Sequence, residues 1–258
     1  MSGLNPRHKQ GFSDGNNPGA PLMSGIVLAP IWGKKYPPTG MALPFTADEF
    51  LGVFRAYNEA IWPAHIVAYV LGLAAVFAAV RGGRRASALV AGALALFWAW
   101  NGLAYHVGFF AAINPVAYVF GCAFVLQATF FAYFAFRHGR LAFRFRRDGY
   151  GLAGAVLVAY AAVLYPLLGV ALGHGYPYNP AFGLAPCPTT IFTFGLLLST
   201  DPPVPKLVLV IPALWALVGS TAALRLGIAE DAGLLVAALA TVGLLLYRDR
   251  RRRKLATA

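Results

Sequence analysis

The side chains in this chain that could do chemistry are few, and they gather in a few places. Glu59 and His65 stand on either side of Pro63. Asn101, Tyr105 and His106 follow one another at i, i+4 and i+5. Cys187, Thr189 and Thr190 lie among three prolines in the run NPAFGLAPCPTT. A carboxylate with two imidazoles is the raw material of acid–base catalysis, of a proton relay or of a metal site. Amide, phenol and hydroxyl groups bind a polar solute through hydrogen bonds. No HExxH, CxxC or comparable spacing accompanies these residues, so no metal and no cofactor is expected. No individual catalytic residue can be read from the pattern. Glu59, His65, Asn101, Tyr105, His106, Cys187, Thr189 and Thr190 are therefore taken together as candidate solute-binding residues.

Each has a plainer reading. The ends of membrane helices are polar wherever they meet water and headgroups. Membrane histidines and glutamines commonly bond to a neighbouring helix, which is the role expected of Gln127. Pro180, Pro186 and Pro188 either break a helix, exposing backbone N–H groups to a ligand, or simply mark a tight loop. The threonine hydroxyls either line a site or bond back to their own helix. Cys187 reads first as a buried structural thiol. Arg225, Glu230 and Asp231 read as a short connection between the last two apolar runs.

The elements that must position these residues are helices. Hydrophobic residues make up 59% of the chain and charged residues 12%, about half the charged share of an ordinary soluble domain. The charges fall in short stretches between long apolar runs. Such runs suit a bilayer with a hydrocarbon core of about 30 Å, crossed by about 20 residues of helix. The expected crossings are 61–80, 86–110, 115–136, 151–173, a short one at 182–200, 207–226 and 232–247. The fold class is all-α: a polytopic helical membrane protein of about seven spans, with an interfacial amphipathic helix before them.

That helix has a legible start. Thr46 and Glu49 match a capping box, and Phe45 and Phe50 match a hydrophobic staple. Phe50, Phe54, Tyr57 and Ile61 then share a face, as in a helix lying in a membrane interface. Residues 41–60 are assigned to it, 61–247 to the transmembrane bundle and 248–258 to a basic tail. Residues 1–40, rich in Gly, Pro, Asn and Ser, are expected to be disordered.

Orientation follows from charge. Between the expected spans and in the tail, fifteen Lys and Arg fall on one side; from Met41 onward the other side has only Arg55 and Arg225. The positive-inside rule puts the N-terminus outside and the basic tail in the cytoplasm. The net charge of +12 thus reads as membrane topology, and no nucleic-acid partner is expected. Membrane lipids and a small polar solute are the expected partners.

Three separated stretches carry a resemblance: LPFTADEFLGVFRAYNEAIWPAHIV, WNGLAYHVGFFAAINP and PCPTTIFTFGLLL. Together they resemble an uncharacterised bacterial membrane family, domain of unknown function 6064, over roughly Met41 to Tyr247. The resemblance implies a bacterial inner-membrane location and a natural start near Met41. It brings no activity, substrate or catalytic residue. The leading functional expectation is transport or binding of a small polar solute at an outward-facing site. The alternatives are a membrane-embedded enzyme using Glu59, His65 or His106, and a scaffold or assembly subunit. Glu59 and His106 are expected to face the bundle interior, close to the start of the fifth span.

Overall fold

The computed structural model describes residues 43–137, 141–201 and 203–256. The extension expected to be disordered, 1–40, and Met41 lie outside the described residues.

Helix α1 (Ala47–Ala60) begins as its sequence dictates. The Thr46 hydroxyl accepts from the Glu49 amide at 3.2 Å, and the Glu49 carboxylate accepts from the Thr46 amide at 2.9 Å. The Phe45 and Phe50 rings stack 5.8 Å apart, closing the staple. Val53, Phe54, Tyr57 and Asn58 form the buried face of α1. Phe54 stacks on Tyr105 at 5.1 Å, and Tyr57 meets the edge of Phe109.

Among the described residues, six segments are long and apolar enough to cross a bilayer: Ala64–Arg81, Arg84–Ala112, Ala117–Ala135, Gly149–Ala171, Leu207–Leu226 and Ala229–Arg252. They cover all or most of α2 (Ala64–Arg81), α3 (Arg84–Trp100), α4 (Ala117–Phe136), α5 (Gly149–Ala159), α6 (Tyr165–Ala171), α8 (Leu207–Leu226) and α9 (Ala232–Ala256). Between α8 and α9 the chain makes one 3₁₀ turn, Ala229–Asp231. Two stretches are wound wider than an α-helix. The π-helix Asn101–Val107 continues α3, and the π-helix Tyr160–Leu164 joins α5 to α6. Such π segments shift the register of the chain beyond them and are frequent at functional sites.

The fifth expected span is shorter than 182–200. Helix α7 covers only Pro186–Leu198, and all thirteen of its residues are buried. At 1.5 Å per residue it is about 20 Å long, too short by itself for the hydrocarbon core. Pro186 and Pro188 fix its start, and before it the chain turns through Gly183 at φ +73°. It ends at Ser199, and Thr200 pairs in an isolated bridge with Phe143. At the other end the Leu184 carbonyl accepts from the Tyr57 hydroxyl at 2.7 Å. The segment from Leu184 to Thr200 therefore links the end of the bundle that holds Tyr57 to the end that holds Phe143.

Helices meet closely where glycines face each other. A Cβ on Gly154 of α5 would stand 2.6 Å from the Gly195 carbonyl of α7, and one on Gly195 would stand 2.8 Å from the Gly154 carbonyl. Gly102 and Gly121 oppose each other in the same way between the π-helix of α3 and α4. Gln127 reaches from α4 to the Val208 carbonyl of α8 at 3.1 Å, the cross-helix bond its position suggests.

The arginine end is tied together by its loops. The Arg144 amide donates to Ser199 O at 2.7 Å, and the Asp201 amide to Ala142 O at 2.9 Å. The Asp201 carboxylate receives Arg252 at 2.7 Å and Arg146 at 3.3 Å. The basic residues after Tyr247 continue α9, which runs on through Ala256. Arg248 is buried on this extension and donates to the Thr200 carbonyl at 2.8 Å.

Candidate functional site

The residues singled out by type and spacing all lie toward the end of the bundle that holds Tyr57, but they do not form one site. Glu59, expected to face the interior, faces out. It is paired with Arg55 one turn earlier at 3.1 Å, and both side chains are more than half exposed. The reason is helical spacing: Tyr57 and Asn58 occupy the buried face of α1, and Glu59 falls beyond its edge. His65 Nε2 donates to Asn58 Oδ1 at 3.1 Å. The Asn58 amide nitrogen in turn donates to the Pro177 and Asn179 carbonyls at 2.7 and 2.8 Å. Together Asn58 and Tyr57 clamp the loop that leads into α7. Burial pushes the Tyr57 phenol well up from its ordinary pKa, so it remains a neutral donor. The Trp100 indole donates to its oxygen at 2.7 Å.

Asn101 serves the same loop. Its amide nitrogen donates to Phe97 O at 2.8 Å, Gly183 O at 3.1 Å and Thr189 Oγ1 at 3.3 Å. Thr190 and Thr193 bond back to the carbonyls of Pro186 and Thr189, both at 2.8 Å. Thr193 also accepts the Trp98 indole N–H at 3.0 Å. Tyr105 is buried between Phe54 and Phe110. His106 is wholly buried in a box of rings, 4.5 Å from Phe124 and 5.0 Å from Trp215 by centroid. Neither of its ring nitrogens has a hydrogen-bond partner.

What type and spacing did not single out is a pair of carboxylates. Glu230 and Asp231, in the turn before α9, are 1% and 3% exposed. The Asp231 carboxylate accepts from the Tyr165 hydroxyl at 2.5 Å. The Cys187 thiol, two residues into α7, is buried in the same neighbourhood. Glu230 Oε1 lies 3.1 Å from His174 Nδ1, while Glu230 Oε2 is buried with no partner. The Tyr160 hydroxyl donates to the Glu230 carbonyl at 2.7 Å. The buried Trp215 indole nitrogen also lacks a partner. A Cβ on Gly219 would stand 3.6 Å from that nitrogen and 3.7 Å from the Cys187 sulfur, which brings the indole and the thiol into one neighbourhood. The wide winding at Tyr160–Leu164 delivers Tyr160 and Tyr165 to this layer, as the winding at Asn101–Val107 delivers His106.

Two adjacent carboxylates in so apolar a place are costly unless positive charge accompanies them. The start of α9 contributes its dipole. His174, whose side chain is 23% exposed, is the basic group in contact. Arg225, the nearest arginine in sequence, is exposed. Among the described residues no three His, Cys, Asp or Glu side chains converge to hold a metal ion. A sequence signal for the pair existed. The chain has only nine acidic residues, and two of them stand side by side at the head of an apolar run.

Fold and site define a class: an all-helical bundle of bilayer-length apolar segments with a layer of buried polar groups toward one end. The chain belongs to a family of unknown function, DUF6064, which it matches over residues 47–256. No curated protein and no solved structure matches it.

Proposed function

We propose that this is an integral membrane protein with seven crossings, and that it binds and passes a small polar solute carrying positive charge, the proton included. The solute site is the Glu230–Asp231 pair, entered past His174 from the side opposite the arginines. One observation carries the reading: Glu230 Oε2, a carboxylate oxygen 1% exposed by residue, has no partner beside a second buried carboxylate. An ionisable group placed this way in a membrane bundle marks an ion or proton path by default.

The seventh crossing is the segment through α7. Its two ends bond to opposite ends of the bundle, and the crossing restores the charge asymmetry that the positive-inside rule requires. The enzyme reading loses its support, because Glu59, His65 and His106 occupy three separate surroundings.

The test is flux into proteoliposomes, read with an enclosed pH dye under gradients of protons, sodium, potassium and methylammonium. The reconstituted protein is expected to carry at least one of them. Asp231→Asn and Glu230→Gln should each cut that flux by an order of magnitude or more, and Glu59→Ala should leave it unchanged. Wild-type vesicles no leakier than empty ones, or an Asp231→Asn protein as active as wild type, would overturn the reading in favour of a scaffold.

A further inference from the structure

The arginine end holds a second candidate site, unrelated to the buried carboxylates. A cavity of about 590 Å³ opens there between the start of α3, the end of α4 and the loop before α5. Arg84, Arg137, Arg144 and Arg252 line it, with Ser87 and one carboxylate, Asp201. Among the described residues the lining carries four guanidinium groups and one carboxylate, an excess of positive charge that favours an anion. Asp201 is moreover already engaged by Arg252 and Arg146. The inner wall of the cavity is apolar: Ala88, Phe134, Ala135, Leu141 and Phe143.

That wall continues. A second cavity of about 470 Å³ runs between α3 and α4 and shares Ala88 and Ala135 with the first. On α3 it is lined by Ala88, Gly92, Ala95 and Ala99, a rise of about 16 Å along the helix. On α4 it is lined by Val125, Ala128, Ala132 and Ala135. The small side chains leave a furrow that no neighbour among the described residues fills, and a Cβ on Gly92 would meet nothing within 4 Å of it there. Both volumes fall in the range of ligand pockets, about 300–1,000 Å³.

We infer that this continuous pocket and furrow is a binding site for an anionic glycerophospholipid. The phosphate sits among the arginines and one acyl chain lies in the furrow between α3 and α4. The occupant follows from the shape of the charge. A free phosphate would use the arginine pocket but leave the furrow empty, whereas a zwitterionic lipid would fill the furrow but bring a cationic group into a positive pocket. Only a lipid with net negative charge satisfies both halves. Arginine supplies forked donors that match phosphate oxygens, and basic groups at a membrane surface attract anionic lipid. The inference rests on the membrane reading above but not on the carboxylate site.

The experiment uses the full chain in nanodiscs, with retained lipid counted by native mass spectrometry. Phosphatidylglycerol is expected to be retained over phosphatidylcholine by at least about tenfold. Arg137→Gln combined with Arg144→Gln should weaken retention by about thirtyfold, at about 1 kcal/mol for each charge removed. Gly92→Leu, which adds a side chain where there is open space, should displace the lipid while leaving the thermal unfolding of lipid-free protein unchanged. Inorganic phosphate should not compete at millimolar concentration. Equal retention of the two lipids, or a Gly92→Leu protein that holds phosphatidylglycerol like wild type, overturns the inference. So does full competition by phosphate, which would make the pocket a site for a free anion. An alkaline carbonate wash separates the two readings. Release of the protein from membranes refutes the membrane reading as well, whereas a protein that stays in the membrane without lipid preference refutes only this one.

Discussion

The Tyr165 hydroxyl donates to the Asp231 carboxylate across 2.5 Å, joining the first turn of α6 to the turn that opens α9. Both groups are buried, Tyr165 at 1% and Asp231 at 3% exposure. The contact exists because five residues of π-helix precede Tyr165 and reset its direction. It also sits near the start of α7, where Cys187 is buried. α6, α7 and the turn that opens α9 thus meet in one neighbourhood.

Tyr165→Phe tests how much that convergence matters. The ring and its packing survive while the hydroxyl is lost, and a buried carboxylate loses a donor. A group left unsatisfied in this way costs about 1–3 kcal/mol. The thermal unfolding midpoint in detergent should fall accordingly, and Tyr165→Phe combined with Asp231→Asn should be less destabilised than the sum of the two. An unchanged midpoint in the single variant would mean that the bond contributes nothing to holding α6 against α9.

The glycine contact between α5 and α7 makes a second prediction. Gly195→Ala places a methyl group 2.8 Å from the Gly154 carbonyl and beside Val158 on α5, so the helices must part. Overpacking of this kind costs about 1–3 kcal/mol. Gly243→Ala is the control, since its new methyl meets nothing within 4 Å and alanine suits a helix better than glycine. Unfolding midpoints of the two variants side by side decide the matter: a loss confined to Gly195→Ala is expected, and equal behaviour would rule out the close crossing.

Much of the fold was legible because apolar length and helix signals act locally. Thr46, Glu49, Phe45 and Phe50 foretell the start of α1 without reference to anything distant, and Leu207–Leu226 appears at the bounds its hydropathy suggests. The candidate site was legible in its location but not in its membership. Glu59 and His106 are equally polar in sequence, yet one turns to Arg55 outside and the other into a box of aromatic rings. That difference depends on which face each helix buries and on π winding, which no local spacing announces. In sequence Glu230 and Asp231 read as a connection because they stand between two apolar runs. Only the packing of Tyr160, Tyr165 and Cys187 around them reveals that this turn is interior. Asn101 and Thr189 have the polarity of ligand-binding residues but use it to hold the loop before α7.

Acid should loosen the arginine end in a defined window. The Asp148 carboxyl is held below the usual carboxylate range, first by its hydrogen bond from Arg146 and then by the Gly151 and Tyr150 amides. Asp201 is held below it by Arg252 first, with Arg146 and Arg144 adding to the effect. A lowered folded-state value contributes stability that is fully present above the unfolded value, about 3.9 for aspartate, and is lost as pH falls through the lower folded values. These groups should therefore leave the unfolding midpoint flat from pH 7 to 5 and lower it below about pH 4. Arg146→Gln should start from a lower midpoint and lose less on acidification. Parallel acid curves for the two proteins would show that the pairing does not persist in solution.

The last prediction concerns topology. Six crossings would leave the segments before the first and after the last on one side of the membrane, and seven would separate them. The six segments long enough to span by themselves do not include α7, so the parity rests on the chain from Leu184 to Thr200. Leu184 accepts from Tyr57, which lies just before α2, and Thr200 stands opposite Phe143 in the isolated bridge and accepts from Arg248, residues that lie just before α5 and near the end of α9. If α2 enters the bilayer from outside, α5 starts from the cytoplasm, and α7 must run from the outer side to the inner one. Its thirteen helical residues can do this because they are buried in protein, where backbone outside the helix has partners. A reporter fused after Lys254 should therefore read as cytoplasmic, and one fused before Thr46 as extracytoplasmic. The same arrangement leaves Arg55 and Arg225 as the outward positive charges from Met41 onward. Both reporters reading the same side would make α7 a re-entrant element and place the tail RDRRRRK against the charge rule.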